Sequence, residues 1–493
     1  MESEQYSKKW IWFIIFLGII LRLRQYFGDR SLWLDESALA LNIINSSYAQ
    51  LLKPLAFNQA APIGFLLLEK WITLNFGIKE YALRFIPFIS GIASIFLFYK
   101  AAKLFLEQEA SILALFFFSI CNPAIFYSSD IKPYSLDLAL SLFIIILLRK
   151  YIDTMKISFF EALSLGLASA VIIWFSYPSI FLLAGAGTTL ILYSYKEKNW
   201  EKLKRLLIPL FLVGTSFLLF YWFSLKSSSQ NPELLHYWKA GFPPVSFNSS
   251  DFFWYLNRFF QTFYYPVGLI FTGLASFFFL VGLISIFYSN RKNFFFLFLP
   301  LVFTLIASLM HKYPINGRLL LFAVPIFLFF TSDGILFLKT NLKAYPNLVF
   351  YLSIFILLIN PFFKTIYYLK YPMTKEEIRP VLFWIAMHQK PDDFLYVYQA
   401  STLPYQYYCE AYHLHFRNAV LKTSLREFIE KFAEKHKNIG RTERIFFLFS
   451  HINPNQKEFY INLLNSVGNK VKSYRAPGAS AYLYDFKMNQ QKS

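Results

Sequence analysis

The sequence predicts an all-α polytopic membrane protein of about eleven transmembrane helices, with a small α/β domain following on the outer face. Three observations point there. Only 16% of the 493 residues are charged, while 56% are hydrophobic and 21% aromatic; ordinary soluble domains carry roughly 25% charged residues. Mostly apolar runs of about 17–25 residues recur, each long enough at about 1.5 Å per residue to cross a hydrocarbon core of about 30 Å. After Thr374 charges become frequent, and short β-rich runs alternate with helix-like stretches.

The expected spans are 10–27, 81–99, 110–128, 134–151, 158–175, 178–195, 206–225, 265–288, 294–310, 319–338 and 346–366. The first reads as a retained helix and not a cleaved signal peptide. Lys8 and Lys9 precede it, but Arg22 and Arg24 follow where small residues would mark a cleavage site. With a cytoplasmic N-terminus, the inner ends and loops hold Lys8 and Lys9, Lys100 and Lys103, Arg149, Lys150 and Lys156, the basic stretch from Lys196 to Arg205, Arg291 and Lys292, and Lys339 and Lys343. Every short inner loop is then basic, as the positive-inside rule expects. Segment 62–76 is apolar but reaches only about 22 Å, and Glu69 and Lys70 interrupt it, so it is expected to lie in the interface. That leaves 28–80 as one long outer loop.

A transmembrane domain over 1–370 and a soluble outer domain over 371–493 follow. In the latter, strands are expected at 394–398, 445–449 and 481–486, and helices at 375–389, 424–437 and 456–466. A bacterial inner membrane is the expected location, with the C-terminal domain periplasmic or extracellular. The net charge of +19 is assigned to membrane lipid and not to nucleic acid, because no RNP-like or zinc-finger spacing accompanies it. Cys121 and Cys409 make neither a CxxC spacing nor a disulfide framework.

Chemistry concentrates at the outer ends of the spans. Asp35 and Glu36 follow Leu32-Trp33-Leu34 just beyond span one, where adjacent carboxylates beside an apolar face are costly unless solvated or used. A helix cap at Asp35 and an interfacial Trp33 are the plainer explanation. Asp130, Lys132, Pro133, Tyr134 and Asp137 form a second group, with Asp137 about one turn inside a span. Arg22, Arg24, Arg84 and Arg318 are outer cations, each explicable alone as a snorkelling anchor. Together, cations beside carboxylates suit an enzyme that holds an anionic lipid headgroup and deprotonates an acceptor. The sequence has no HExxH, Walker A, GxGxxG or GxSxG pattern, which disfavours a metalloprotease, a nucleotide-driven pump and a serine hydrolase.

Leu32-Trp33-Leu34-Asp35-Glu36, then Gln59-Ala60-Ala61-Pro62 with its Leu-rich helix, Arg84, and the stretch from Ser129 to Asp137 resemble membrane glycosyltransferases of the GT-C fold. More narrowly, they resemble bacterial family 39, the protein mannosyltransferase and aminoarabinose transferase-like group. The likeness is strongest over 25–150 and returns at Gly317-Arg318-Leu319-Leu320. It implies transfer of a sugar from a polyprenyl-phosphate donor to an envelope glycolipid, glycan or protein acceptor on the outer face. The family's essential acidic residue matches Asp35, with Glu36 beside it. Lys132 and Arg318, with Arg84, are expected to bind the donor phosphate, supported by Asp130, Tyr134, Asp137 and Gln59. Other members often carry a basic residue before the proline of the second motif, where this chain has Gln59 and Ala61. Metal dependence differs among relatives; no metal ligand is assigned, and a divalent cation is left open as cofactor. The competing readings are an envelope oligosaccharide ligase or polymerase, and a lipid or solute transporter. The transporter loses ground because paired repeats and broken midplane helices are missing from the sequence pattern.

Overall fold

The computed structural model describes residues 2–244, 248–421, 423–436 and 442–487. The chain falls into two compact units. The first comprises Met1–Gly28, Ser46–Ile72 and Arg84–Pro372; the second comprises Asp29–Asn45, Thr73–Leu83 and Met373–Ser493.

The first unit is helical, and this is a membrane protein. Among the described residues six helices are long and apolar enough to cross a bilayer: Phe85–Ala102, Trp200–Leu225, Thr272–Ser289, Arg291–Leu309, Gly317–Asn341 and Pro346–Lys370. Each coincides with an expected span. Helices also form at the remaining expected spans, including Glu2–Tyr26, Tyr134–Arg149 and Ser179–Lys196. Two of them, Gln108–Ser119 and Phe159–Ile173, are apolar but short. Segment 62–76 forms the helix Ile63–Phe76, of 14 residues.

Within lipid, helices associate by close packing, so small residues mark the tightest crossings. Gly282 and Gly334 make one. A Cβ at Gly282 would lie 1.8 Å from the Phe330 carbonyl oxygen, and one at Gly334 would lie 2.0 Å from that of Phe278. Gly91 makes a second, where an added Cβ would meet the Ser128 Cβ at 2.3 Å. This crossing lets the helix Phe85–Ala102 lie against the turn that leads to Asp130. Two of the expected outer cations serve packing here. Fully buried Arg22 donates to the Gly18 and Ser119 carbonyls, and Arg24 donates to those of Leu369 and Lys370.

The second unit is built on a five-stranded sheet: β1 (Phe394–Val397), β2 (Asn418–Val420), β3 (Thr442–Ser450), β4 (Asn469–Ala476) and β5 (Ala479–Lys487). Its order is β2-β1-β3-β5-β4; β1 pairs in parallel with β2 and β3, and β5 runs antiparallel to β3 and β4. Both faces are covered because successive strand residues point to opposite sides. On one face Phe447, Tyr396 and Tyr484 pack with Phe428, Phe432 and Leu464 of the helices Leu425–His436 and Pro454–Val467. On the other, Phe446 meets Trp384 of the helix Ile378–His388 at 5.9 Å between ring centres. β1, β3, β5 and the three helices match the expected strands and helices; β2 and β4 were not expected. The end of the expected helix 424–437, Lys437, lies outside the described residues.

The second unit also takes up two short pieces of the first outer loop: the helix Leu34–Asn45, and the segment Thr73–Leu83.

Candidate active site

In the first unit, Lys132 follows the turn after the helix Asn122–Tyr127, just ahead of Pro133. It is 4% exposed, and its Nζ donates to Gln59 Oε1 at 2.6 Å. Gln59 lies on the wall of an open cleft whose other lining includes Leu51, Leu55, Phe223, Lys53, Tyr177 and Ser224. An ammonium is thus anchored beside a cleft of mixed apolar and polar lining.

Arg318 opens the 3-10 turn Gly317–Ala323. Its guanidinium lies between two rings, 5.6 Å from the centre of Tyr134 and 5.4 Å from that of Trp238. Ring faces attract a guanidinium by cation–π interaction and fix its plane. The preceding turn is tied down, with Ile315 N donating to the Gly241 carbonyl at 2.8 Å and Arg258 donating to Asn316 Oδ1 at 3.1 Å. Beside it the Tyr127 and Tyr265 hydroxyls are hydrogen-bonded to each other. Asp130 and Arg318 both lie within electrostatic reach of that pair. Asp130 is fully buried. Arg84 is buried at the start of the helix Phe85–Ala102. Asp137, in the first turn of Tyr134–Arg149, is buried near Ser176 and Tyr313.

In the second unit, Asp35 and Glu36 open the helix Leu34–Asn45. Carboxylates in a first turn are favoured by the helix dipole. The two then part. Glu36 is fully buried and pairs with Arg30 at 3.2 Å; Asp35, half-buried, is the more accessible of the two. Because Glu36 is held by Arg30, the pair does not offer two carboxylate ligands to a divalent cation. Among the described residues, no group of three or more His, Cys, Asp or Glu side chains could hold a metal ion.

The loop that carries Asp35 is gripped by residues far along the chain. Ser31 donates to Glu377 Oε2 from both its backbone N (3.0 Å) and its hydroxyl (2.9 Å). Leu32 N donates to the Tyr408 hydroxyl at 2.7 Å, and Leu34 N to Glu376 Oε2 at 3.3 Å. Lys375 places its ammonium 3.4 Å from the centre of the Trp33 ring. Glu80 is held likewise by Arg379 at 2.9 Å, Tyr408 at 3.0 Å and Tyr412 at 2.7 Å. Burial works against the Arg379 charge, but Glu80 and the neighbouring tyrosines outweigh it and keep the guanidinium firmly protonated.

The structure thus groups Lys132 with Gln59, and Arg318 with Tyr134 and Asp130, in the first unit, and Asp35 with Glu36 in the second. The sequence did not single out Trp238, Arg258 and Tyr265, or Glu376, Glu377, Tyr408 and His451. Trp238, Arg258 and Tyr265 fall in the outer loop 226–264 or at its border, and the others in the C-terminal segment. Neither region carries a recognisable motif.

With this geometry in hand, the chain is seen to have the GT-C fold that its motifs resemble. Three solved structures carry that conclusion. ArnT from Cupriavidus metallidurans bound to undecaprenyl phosphate is similar with a TM-score of 0.53 and 12% identity, over 96% of this chain and 98% of that one. The Archaeoglobus fulgidus oligosaccharyltransferase tethered with an acceptor peptide is similar with a TM-score of 0.50 and 10% identity, over 97% of this chain and 74% of that one. The AglB oligosaccharyltransferase of the same organism, in complex with an inhibitory peptide and a dolichol-phosphate, gives 0.50 and 11% over the same shares. No protein-family model and no curated protein sequence matches the chain.

Proposed function

We propose that this protein is a family 39-type membrane glycosyltransferase. It transfers a sugar, with inversion, from a polyprenyl-phosphate donor to an acceptor hydroxyl or amine on a cell-envelope glycan, lipid or protein. The observation that carries this reading is the Lys132 ammonium, held by Gln59, which lines a cleft where leucine and phenylalanine side chains stand beside polar ones. A lipid phosphate needs that combination of a cation for its headgroup and an apolar surface for its chain. The likeness to ArnT bound to undecaprenyl phosphate supports the same class of donor.

The division of labour follows from the leaving group. The donor is a phosphate diester, and the polyprenyl phosphate monoester leaves as a stable anion once cations balance its growing charge, so a general acid is not needed. The acceptor hydroxyl or amine must lose a proton as it attacks. Asp35, half-buried in the first turn of its helix, takes that proton or orients the acceptor, while Glu36 and Arg30 hold the turn. Lys132 and Arg318, with Arg84, bind the phosphate, and Asp130, Tyr134 and Asp137 support them. The acceptor atom bonds to the anomeric carbon as the bond from that carbon to the phosphate oxygen breaks. Polyprenyl phosphate departs, and a single displacement inverts the centre. We place this chemistry at the outer face of a bacterial inner membrane, with the N-terminus cytoplasmic.

A second reading, transfer of an oligosaccharide, draws on the likeness to AglB. This chain spans 74% of that protein and 98% of ArnT. The test is incubation of the purified protein in lipid with a panel of polyprenyl-phosphate monosaccharides, lipid-linked oligosaccharides and envelope extract. Release of free polyprenyl phosphate from a monosaccharide donor, with an inverted product, supports the proposal. Release only from oligosaccharide donors favours the second reading.

A further inference from the structure

The Glu376 carboxylate is 5% exposed, and its two oxygens face different partners. Oε2 accepts from the backbone N of Leu34, the residue before Asp35, at 3.3 Å. Oε1 is paired with His451 Nδ1 at 2.5 Å. His451 directly follows β3 and holds a left-handed backbone with φ of 53°. Non-glycine residues rarely adopt that conformation, and it persists where surrounding contacts determine it. The imidazole lies 6.4 Å from the Trp33 ring, whose face is covered by Lys375. The charged groups that act on His451 are Glu376, Asp35 and Lys375.

We propose that His451 and Glu376 form a charge-dependent clamp that positions Asp35, which makes the C-terminal unit a working part of the transferase. This deepens the reading of Asp35 as the acting carboxylate and rests on it. The hydrogen bond and charge of Glu376, aided by Asp35, raise the His451 pKa above its ordinary value, against burial and Lys375. A raised value means that the ion pair is complete at low pH and lost as pH rises through it. With His451 charged, Glu376 is fixed between it and the Leu34 amide, and the Asp35 carboxylate has a cation nearby. With His451 neutral, that attraction disappears and the turn loosens. Loss of position at a reacting group slows the chemical step more than it weakens donor binding.

The test uses the full-length protein in lipid with two readouts. In the first, kcat and the donor KM are measured against pH for wild type, His451→Gln and Glu376→Gln. Wild type is expected to lose kcat on the alkaline side of the imidazole range, above about pH 6.5. His451→Gln is expected to show a kcat lowered by about tenfold or more at acid pH, no alkaline decline of this origin, and an unchanged donor KM. In the second, hydrogen exchange of the Leu34 amide, corrected for intrinsic rate, follows the clamp without any turnover. Its protection should fall with pH in wild type and be low at every pH in His451→Gln. Wild-type pH profiles together with unchanged exchange in both variants would overturn the clamp. Absence of polyprenyl-phosphate release by wild type would defeat the transferase reading, while the exchange measurement would still decide for or against the clamp.

Discussion

Lys132 Nζ donates to Gln59 Oε1 at 2.6 Å, although the two residues are 73 positions apart. One lies ahead of a helix at Pro133, and the other lies in the loop before the helix Ile63–Phe76. The contact holds a buried ammonium beside a cleft lined by both apolar and polar side chains. Hydrogen bonds to charged groups contribute about 1.5–3 kcal/mol, which corresponds to about 10- to 150-fold in affinity. Lys132→Ala should weaken binding of undecaprenyl phosphate by that factor. Gln59→Ala, which leaves the charge but frees its position, should weaken it less. Titration of both purified variants with the lipid checks the order; an unchanged affinity in Lys132→Ala would move the phosphate elsewhere.

Arg379 and Glu80 form a nearly buried ion pair at 2.9 Å, their side chains 12% and 4% exposed. Removing one member of such a pair leaves an uncompensated charge and costs about 3–5 kcal/mol. Arg379→Ala should therefore destabilise the second unit by about that much. Chemical denaturation followed by hydrogen exchange in 73–83 measures it. Arg379→Lys should fall between, since it keeps a charge but loses the forked geometry.

Gly282 and Gly334 allow two helix backbones to touch. Gly282→Leu would drive a side chain into the Phe330 carbonyl, so it should lower the detergent-solubilised melting temperature, whereas Gly214→Leu should not. A Cβ at Gly214 meets nothing within 4 Å. Overpacking of this kind costs about 1–3 kcal/mol or more.

Glu69 is fully buried, and neither carboxylate oxygen has a hydrogen-bond partner among the described residues. Burial raises its pKa well above the usual carboxylate range. The native protein therefore keeps a proton that the unfolded chain releases near pH 4.3. Stability should fall as pH rises from about 4.3 towards the native pKa and then level off. Glu69→Gln should remove that slope and raise the melting temperature at neutral pH. Parallel melting curves from pH 4 to 8 would show it, and identical slopes would contradict it.

Much of the fold was legible from local pattern. Apolar length located the six strongly apolar helices, and short runs rich in β-forming residues located β1, β3 and β5. Strands β2 and β4 were missed for physical reasons. Asn418–Val420 has only three residues, and β4 is an almost wholly exposed edge strand, Asn-Lys-Val-Lys-Ser-Tyr-Arg-Ala, without a buried face to impose alternation. Asp35, Lys132 and Arg318 stood out because charge beside apolar spans is conspicuous. The difference between Asp35 and Glu36 was not legible, since it depends on Arg30 reaching back to pair with Glu36. Nor was the grip of Glu376, Glu377 and Tyr408 on residues 31–34. Those contacts join positions more than 340 apart, and no local pattern announces them.

The central claim is that Asp35 acts in transfer from a lipid phosphate. The most direct measurement follows release of free polyprenyl phosphate by wild type and Asp35→Asn, side by side in lipid, with folding checked by melting temperature. The substitution keeps size and hydrogen bonding but removes the base. Wild type should release the lipid phosphate, and Asp35→Asn should be slower by about 100-fold or more with an unchanged melting temperature. Turnover close to wild type in a folded Asp35→Asn protein would contradict the account.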